Sequence, residues 1–184
     1  MPISVTKDTV EGPLSRELEA LADVRVRECY QCGKCSAGCP VADEMDILPN
    51  RIVRLAQLGE FEKALRSKTI WLCASCITCT TRCPRDVDIG AVMDALREMS
   101  LEKGLADPAS KEIVSFHKAF LDTVRAFGRM SEFPMVGDYK LRSLKLFQDI
   151  LAAPKMFLRG KLRLIPKRIK GRGEVRKIFS KCGW

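Results

Sequence analysis

The sequence predicts a mainly α-helical protein. Apolar residues recur at helical spacing through most of the chain, whereas alternating patterns typical of strands are short and isolated. Cysteine is concentrated in two frames of identical spacing, with helical patterns both between and after them. These observations together predict short helices built around two cysteine-rich loops.

Length and composition indicate a folded protein with one strongly basic end. The chain has 184 residues, of which 46% are hydrophobic, enough to bury a core. Its net charge of +9 is uneven, because residues 155–184 carry eleven Lys and Arg against one acid, Glu174. No nucleic-acid-binding motif accompanies these basic residues, so we expect no nucleic-acid partner.

The ends and apolar runs of the chain predict a cytoplasmic protein. The first 20 residues have no apolar run of the kind found in signal peptides. No stretch approaches the roughly 18 consecutive apolar residues that a membrane-spanning helix needs, so we expect no membrane span. Thiols stay reduced in the cytoplasm, and clustered cysteines there indicate metal binding rather than disulfides.

The first predicted helices flank the first cysteine frame. A lead-in, residues 1–28, is expected to contain one short helix because three leucines share a face: Leu14, Leu18 and Leu21. After the frame, Asn50 is predicted to cap a helix that ends at Gly59. The stretch EFEKALRS, residues 60–67, predicts a second short helix.

The helices after the second frame are predicted from caps and breakers. Asp88 is the expected cap of a helix that runs to Gly104. Asp107-Pro108 begins the next helix, since proline suits a first turn, and that helix ends at Gly128. The stretch SEFPMVGD is predicted as a loop, and residues 141–151 as a last helix before Pro154.

The two frames share the pattern C-x2-C-x2-C-x3-C-P. They read CYQCGKCSAGCP at 29–40 and CASCITCTTRCP at 73–84, 44 positions apart, and hold eight of the nine cysteines. Three cysteines at this spacing let one tight loop reach three corners of a [4Fe-4S] cubane, so the fourth ligand comes from elsewhere. Structural zinc sites usually separate two pairs by a dozen or more residues. The frames therefore predict two [4Fe-4S] clusters.

The fourth cysteine of each frame is assigned by analogy. In two-cluster ferredoxins it binds the cluster of the other run. The proline that follows it disfavours the α conformation at that cysteine and turns the chain away from its own loop. The predicted ligands are Cys29, Cys32, Cys35 and Cys83 for one cluster, and Cys73, Cys76, Cys79 and Cys39 for the other.

Three further residues are predicted to have neither a catalytic nor a ligand role. Trp71 precedes the second frame and is expected to pack in the core. His117 is the only histidine and has no carboxylate pattern beside it, so no catalytic residue is predicted. Cys182, the ninth cysteine, is expected to be a free thiol.

The helical spacer between the frames, residues 40–72, favours an α-helical ferredoxin with its two cluster loops in a pseudo-two-fold arrangement. A β-type ferredoxin with inserted helices is the alternative. The predicted organisation is a two-cluster domain at 29–106, a helical extension at 107–153, and an extended basic tail at 154–184. Single apolar residues among the basic ones favour docking of the tail on a partner, with a solvated face or a membrane-surface segment as alternatives.

The sequence resembles the iron–sulfur (C) subunit of heterodisulfide reductase. The resemblance spans most of the chain. It rests on CYQCGKCSAGCP, the helical spacer, WLCASCITCTTRCP, the DVDI sequence with its helix, and LIPKRIKG in the basic end.

The resemblance implies a non-catalytic electron-transfer subunit of an oxidoreductase complex. Its partners would be the flavoprotein (A) subunit of that complex, together with the (B) subunit that reduces the heterodisulfide of coenzymes M and B in methanogens. A hydrogenase or formate dehydrogenase would join them in a larger complex. The C-C-G repeats of the disulfide-reducing partner are absent, so we do not expect this chain to cleave the disulfide.

Two other functions share the cluster chemistry. One is the iron–sulfur subunit of a membrane-linked dehydrogenase, of the glycerol-3-phosphate dehydrogenase or fumarate reductase type. Those proteins add a [2Fe-2S] domain or C-terminal cysteine repeats, and neither is present in this sequence. The other is a stand-alone ferredoxin, which the long apolar and basic tail disfavours.

Overall fold

The computed structural model describes residues 10–144 and 169–182. These residues are mainly helical, and none of them forms a strand. The predicted helical fold class is therefore confirmed, while the pseudo-two-fold arrangement stays a prediction. The chain divides into two compact units, Met1–Ser110 and Lys111–Trp184.

The first unit contains seven described helices and three 3-10 turns. The helices are α1 Pro13–Ala22, α2 Lys34–Ala37, α3 Pro49–Leu58, α4 Phe61–Leu65, α5 Thr69–Leu72, α6 Thr78–Thr81 and α7 Ile89–Glu102. The 3-10 turns are Val26–Glu28, Ala42–Glu44 and Pro108–Ser110. The helices predicted at Leu14–Leu21 and in EFEKALRS are thus confirmed as α1 and α4.

Helix α7 is the centre of the first unit, in contact with α1, α3, α4, α5 and α6. Its inward side chains, among them Val92, Leu96 and Met99, are fully buried. Burial of an aliphatic side chain of this size contributes about 1.5–3 kcal/mol. The carboxylate of Asp88 accepts a hydrogen bond from the N–H of Ala91 at 3.0 Å, which confirms the predicted cap.

The start of α3 differs from the prediction. Leu48 is the capping residue and Pro49 opens the helix, so the predicted cap at Asn50 is wrong. The N–H of Asn50 instead donates to the hydroxyl of Ser36 at 3.0 Å, a partner outside the helix. The end of α3 is as predicted, since Gly59 takes a left-handed conformation with φ of 75°.

The second unit consists, in its described part, of α8 Lys111–Phe127, α9 Glu132–Ser143 and α10 Arg172–Lys181. Helix α8 contacts both α9 and α10. The rings of Phe116 and Tyr139 meet edge to face with centroids 6.1 Å apart, and this contact joins α8 to α9. Helix α8 ends at Gly128, as predicted.

The loop predicted for SEFPMVGD is wrong, because Glu132–Ser143 is a helix. Pro134 suggested a break, but it is the third residue of α9. A first-turn residue has no intrahelical acceptor for its N–H, so proline costs little there. The helix predicted at 141–151 is also wrong at its start, because Leu144 already turns left-handed. Residues 145–151 lie outside the described residues.

The tail is predicted to be extended, but its described part contains a helix, α10. Residues 154–168 of the tail, and residues 1–9 of the lead-in, lie outside the described residues. Among the helices that the structure describes, none is long and apolar enough to cross a membrane.

Candidate metal centre

The first cysteine frame folds as a tight loop followed by one helical turn. Two residues between its cysteines are left-handed, Gln31 with φ of 63° and Gly33 with φ of 78°. These conformations reverse the chain between successive cysteines. Cys35 then lies in α2 and is buried, and the N–H of Cys39 bonds the carbonyl of Ser36 at 3.2 Å.

The second frame repeats this backbone 44 residues later. Ser75, with φ of 49°, and Ile77, with φ of 53°, are left-handed at the positions equivalent to Gln31 and Gly33. Helix α6 corresponds to α2, and the two helices contact each other. A β-branched residue rarely adopts this conformation, so the fold of the loop imposes it on Ile77.

A hydroxyl residue after the third cysteine ties each loop to the helix that follows. The hydroxyl of Ser36 accepts the N–H of Asn50 at 3.0 Å and lies 2.7 Å from the Asn50 amide oxygen. In the second frame, the hydroxyl of Thr80 accepts the N–H of Gly90 at 3.3 Å and donates to Asp88 at 2.8 Å. Asn50 and Gly90 are the second residues of α3 and α7, so each cysteine loop is fixed to a buried helix.

One cavity is lined by cysteines from both frames. Cys73, Cys76 and Cys79 of the second frame line it together with Cys39 of the first. Apolar side chains complete its wall, among them Val41, Met45, Ile89 and Met93. The structure thus brings together the four cysteines predicted for the second cluster.

Cysteines of both frames also meet around Tyr30. The pKa of Tyr30 is raised by local desolvation, by a hydrogen bond with Cys32, and by the nearby thiols of Cys32 and Cys83. The sulfur of Cys83 accepts the N–H of Val87 at 3.3 Å. An ion pair between Arg85 and Glu28, at 3.8 Å, brings the end of the second frame beside the start of the first.

The third cysteines of the two frames, Cys35 and Cys79, lie on helices that contact each other, with Cys35 buried and Cys79 half-buried. Burial raises the pKa of Cys35, hydrogen bonds with Ser36 oppose that rise, and the neighbouring Cys29 and Cys79 thiols add to it. Burial likewise raises the pKa of Cys79, with a smaller contribution from Cys73. Thiolates this close repel one another, so the arrangement suits a positively charged metal core among them.

Cys76 is the exposed thiol of the second frame. A hydrogen bond with the Thr78 hydroxyl, 3.5 Å from its sulfur, and a bond from the Thr78 backbone lower the pKa of Cys76. A lowered pKa favours the thiolate, which is the form that binds metals.

A side chain from the following helix holds the first cysteine of each frame. The amide of Gln57, on α3, donates to the carbonyls of Cys29 at 2.7 Å and Val26 at 2.9 Å. The guanidinium of Arg97, on α7, donates to the carbonyl of Cys73 at 3.5 Å. Gln57 and Arg97 are each the ninth residue of their helix.

The residues present fit iron–sulfur clusters. Four thiols on one apolar cavity form the donor set that such clusters require. The Nε of Arg97 is buried and has no hydrogen-bond partner within the described part of the chain, so a donor is available for a bound acceptor. Among the described residues, no three His, Cys, Asp or Glu side chains are grouped to hold a single metal ion.

Trp71 and Cys182 differ in solvent exposure. Trp71 is buried, as predicted, with 4% of its surface exposed. Cys182 is exposed at the end of α10.

The sequence interpretation did not predict that Gln57, Arg97, Ser36 and Thr80 hold the cysteine loops. Aligning the helices that follow the frames, and not only the cysteines, would have paired Gln57 with Arg97.

Comparisons with known proteins agree with this geometry. Residues 25–87 match the 4Fe-4S dicluster domain family. The iron-sulfur (C) subunit of the CoB–CoM heterodisulfide reductase of Methanopyrus kandleri is 35% identical over 104 residues, 56% of this chain and 53% of that protein.

Two further relatives have the same kind of name. The C subunit of the H2:CoB-CoM heterodisulfide, ferredoxin reductase of Methanothermobacter marburgensis is 30% identical over 112 residues, 61% of this chain and 60% of that protein. A second iron-sulfur (C) subunit, of the CoB–CoM heterodisulfide reductase of Methanocaldococcus jannaschii, is 34% identical over 107 residues, 58% and 57% of the two chains. The chain thus spans between about half and three fifths of these relatives. The predicted resemblance to the C subunit of heterodisulfide reductase is confirmed.

Proposed function

We propose, from the premise that this chain carries a 4Fe-4S dicluster domain and resembles the C subunit of heterodisulfide reductase, that it is the electron-transfer subunit of such a complex. Its role would be to relay electrons from a flavoprotein partner to a disulfide-reducing partner. The names of its relatives, which mention CoB and CoM, suggest their heterodisulfide as the final acceptor.

The observation that carries the proposal is the cavity shared between the frames. Cys39 lines it with Cys73, Cys76 and Cys79, which supports these four as ligands of one cluster. The ion pair of Arg85 with Glu28, which joins the end of the second frame to the start of the first, supports Cys29, Cys32, Cys35 and Cys83 as ligands of the other. Each [4Fe-4S] cluster, when bound, supplies one-electron redox chemistry.

The chain's own contribution is to hold two such sites side by side. Helices α2 and α6 are in contact, and each carries the third cysteine of its frame. Ser36 and Thr80 fix these loops to α3 and α7, and apolar side chains line the cavity beside Cys39.

The proposal is tested by iron analysis of anaerobically purified protein. We expect about eight iron atoms per chain, four for each cubane. Cys39→Ser is expected to diminish the electron paramagnetic resonance signal that Cys76→Ser also diminishes. Cys182→Ser, which alters an exposed thiol outside both frames, is the matched control and should leave both signals intact.

Several outcomes would contradict the proposal. A wild-type chain with about four irons or fewer would exclude two clusters. Loss in Cys39→Ser of the signal that Cys29→Ser removes, and not of the other, would refute the exchange of fourth ligands. Isolation of the native protein as a free 20.6 kDa species would favour a stand-alone ferredoxin.

A further inference from the structure

The two cysteine loops are held by equivalent side chains that differ in charge. Gln57 binds the carbonyl of Cys29 with a neutral amide, whereas Arg97 binds the carbonyl of Cys73 with a guanidinium. The contacts at the neighbouring left-handed residue also correspond. Gln31 donates to the amide oxygen of Gln57 at 3.4 Å, and Arg97 donates to the hydroxyl of Ser75 at 3.0 Å. The second frame is therefore held by a cation at the position where the first is held by a neutral amide.

Arg97 differs in burial from the other cations in and near the frames. Its side chain is only 19% exposed, whereas Lys34, Arg54, Arg82 and Arg85 are all exposed. Exposed charges are screened by water and salt, and a charge held against the protein interior acts more strongly on its neighbours. Arg97 is consequently the cation with the largest expected effect on the second frame.

The ion pair of Arg97 does not cancel this charge. Asp94 lies 2.8 Å from the guanidinium, but the Asp94 side chain is 59% exposed, so much of its charge is solvated. The Nε of Arg97 is buried without a partner among the described residues. The other end of the guanidinium has acceptors, so Nε is a buried N–H donor that remains available beside the second frame.

We infer that the positive charge of Arg97 raises the reduction potential of the cluster held by the second frame. Reduction adds one negative charge to a cluster, and a nearby buried cation stabilises the reduced form. This inference rests on the proposed function, because it requires a cluster at Cys73, Cys76 and Cys79. It names a side chain of α7, outside the cysteine frames, as a determinant of the electron relay.

The test is a redox titration of the full-length, cluster-loaded chain followed by electron paramagnetic resonance, with Cys76→Ser identifying the signal of the second frame. Arg97→Gln gives the second frame the neutral amide of the first. At a fixed potential, we expect the ratio of reduced to oxidised cluster in the second frame to fall about tenfold, the effect expected from the loss of one partly buried charge. For a one-electron couple, this corresponds to a reduction potential lower by about 59 mV. The other cluster should titrate as in the wild type.

Three variants separate charge from structure. Arg97→Lys keeps the cation and should retain most of the wild-type potential. Asp94→Asn removes the counter-charge and should shift the same cluster in the opposite direction, by less, because Asp94 is largely exposed. Arg54→Gln, an exposed cation that contacts Gln57 at 3.2 Å, is the control and should leave both potentials unchanged.

Unchanged potentials in an Arg97→Gln chain that binds about eight irons would overturn the inference. So would a shift of the potential in Arg97→Lys as large as that in Arg97→Gln, or a shift in the potential of the other cluster. If the Arg97→Gln chain binds less iron than the wild type, the Asp94→Asn variant becomes the test. An unchanged or lowered potential of the second-frame cluster in Asp94→Asn would then overturn the inference. A wild-type chain without two clusters defeats the proposed function itself. Two clusters with no dependence on Arg97 defeat only this inference.

Discussion

At the scale of single residues, the left-handed positions shape the cysteine loops. Positions 31 and 33 recur as 75 and 77, and all four have positive φ. Glycine adopts this conformation without strain, and only one of the four is glycine, Gly33. The loops are therefore formed against local backbone preference, held by the contacts of α3 and α7 described above.

Gly33→Ala tests the backbone requirement alone. A Cβ added at Gly33 would meet nothing within 4 Å, so the variant changes conformational energy and not packing. With φ of 78°, we expect a loss of about 1 kcal/mol in the free energy of unfolding of the first unit. Hydrogen exchange of amides in the first unit measures this loss.

Gly137→Ala is the matched control for Gly33→Ala. Gly137 also has nothing within 4 Å of an added Cβ, but it lies inside α9 with ordinary helical φ. Alanine there should stabilise the helix by roughly 0.5–1 kcal/mol. The same substitution is thus expected to have opposite signs at the two sites, and stabilisation by Gly33→Ala would contradict the backbone argument.

At the scale of elements, Asp46 fixes the start of α5, the helix that leads into Cys73. Its carboxylate accepts the N–H groups of Lys68 and Thr69, both at 3.0 Å, and the hydroxyl of Thr69 at 2.8 Å. Partial burial disfavours the charged form, but these hydrogen bonds outweigh it and lower the pKa of Asp46. Asp46 therefore acts as a cap supplied from a distant segment of the chain.

Asp46→Asn is expected to destabilise the first unit by about 1 kcal/mol, a modest value because the carboxyl is largely solvent-accessible. A lowered folded pKa gives stability that is present above the unfolded value of about 3.9 and lost as pH falls through the folded pKa. The difference between the variant and the wild type should therefore be constant between about pH 5 and pH 8.

The measurement is denaturant unfolding of the loaded protein at several pH values in that range. Asp43→Asn, on the same linker, is the control and should match the wild type. A difference that shrinks as pH falls within that range would mean that Asp46 titrates there, against the direction given by its contacts.

The predictability of the elements depended on whether the signals were local. Asp88, Gly59 and Gly128 were correctly predicted as helix boundaries because their caps and breaks involve adjacent residues. Asn50 was wrong because its partner is Ser36, fourteen residues away. SEFPMVGD was wrong because proline and glycine suggest loops, whereas α9 places Pro134 in its first turn and packs on α8.

Spacing and analogy predict eight cysteine ligands, and this assignment stays a prediction. The structure shows that one predicted set, Cys39, Cys73, Cys76 and Cys79, lines one cavity. The sequence did not predict the side chains that surround the cysteines. The contacts of Gln57 and Arg97 arise only when α3 and α7 fold back on the loops, over 28 and 24 residues of sequence. Nothing within a few residues of the cysteines indicates such long-range contacts, although the shared position of Gln57 and Arg97 in their helices pairs the two side chains.

At the scale of the whole molecule, the cysteine frames and the basic tail belong to different units. Both frames lie in Met1–Ser110, and the tail lies in Lys111–Trp184. The tail's described helix, α10, packs on α8 within its own unit. Cluster binding and partner docking are therefore expected to be separable.

A chain truncated before Lys155 tests that separation. We expect about eight irons and both signals to be retained, because no predicted ligand is removed. Binding to the proposed flavoprotein and disulfide-reducing partners, measured by co-purification after co-expression, is expected to fail. Retained clusters with unimpaired binding would refute docking by the tail, and lost clusters would refute the independence of the two functions.

Truncation also removes α10 from α8, so a failure to bind could reflect damage to the second unit. The double variant Lys177→Glu and Lys181→Glu resolves this, because both lysines are exposed on α10 and the packing helix is kept. If the tail docks through its charge, the variant should bind more weakly, and the loss should diminish as salt rises and screens the wild-type attraction. Equal binding by the wild type and the double variant at low salt would assign docking to the apolar residues of the tail and not to its basic ones.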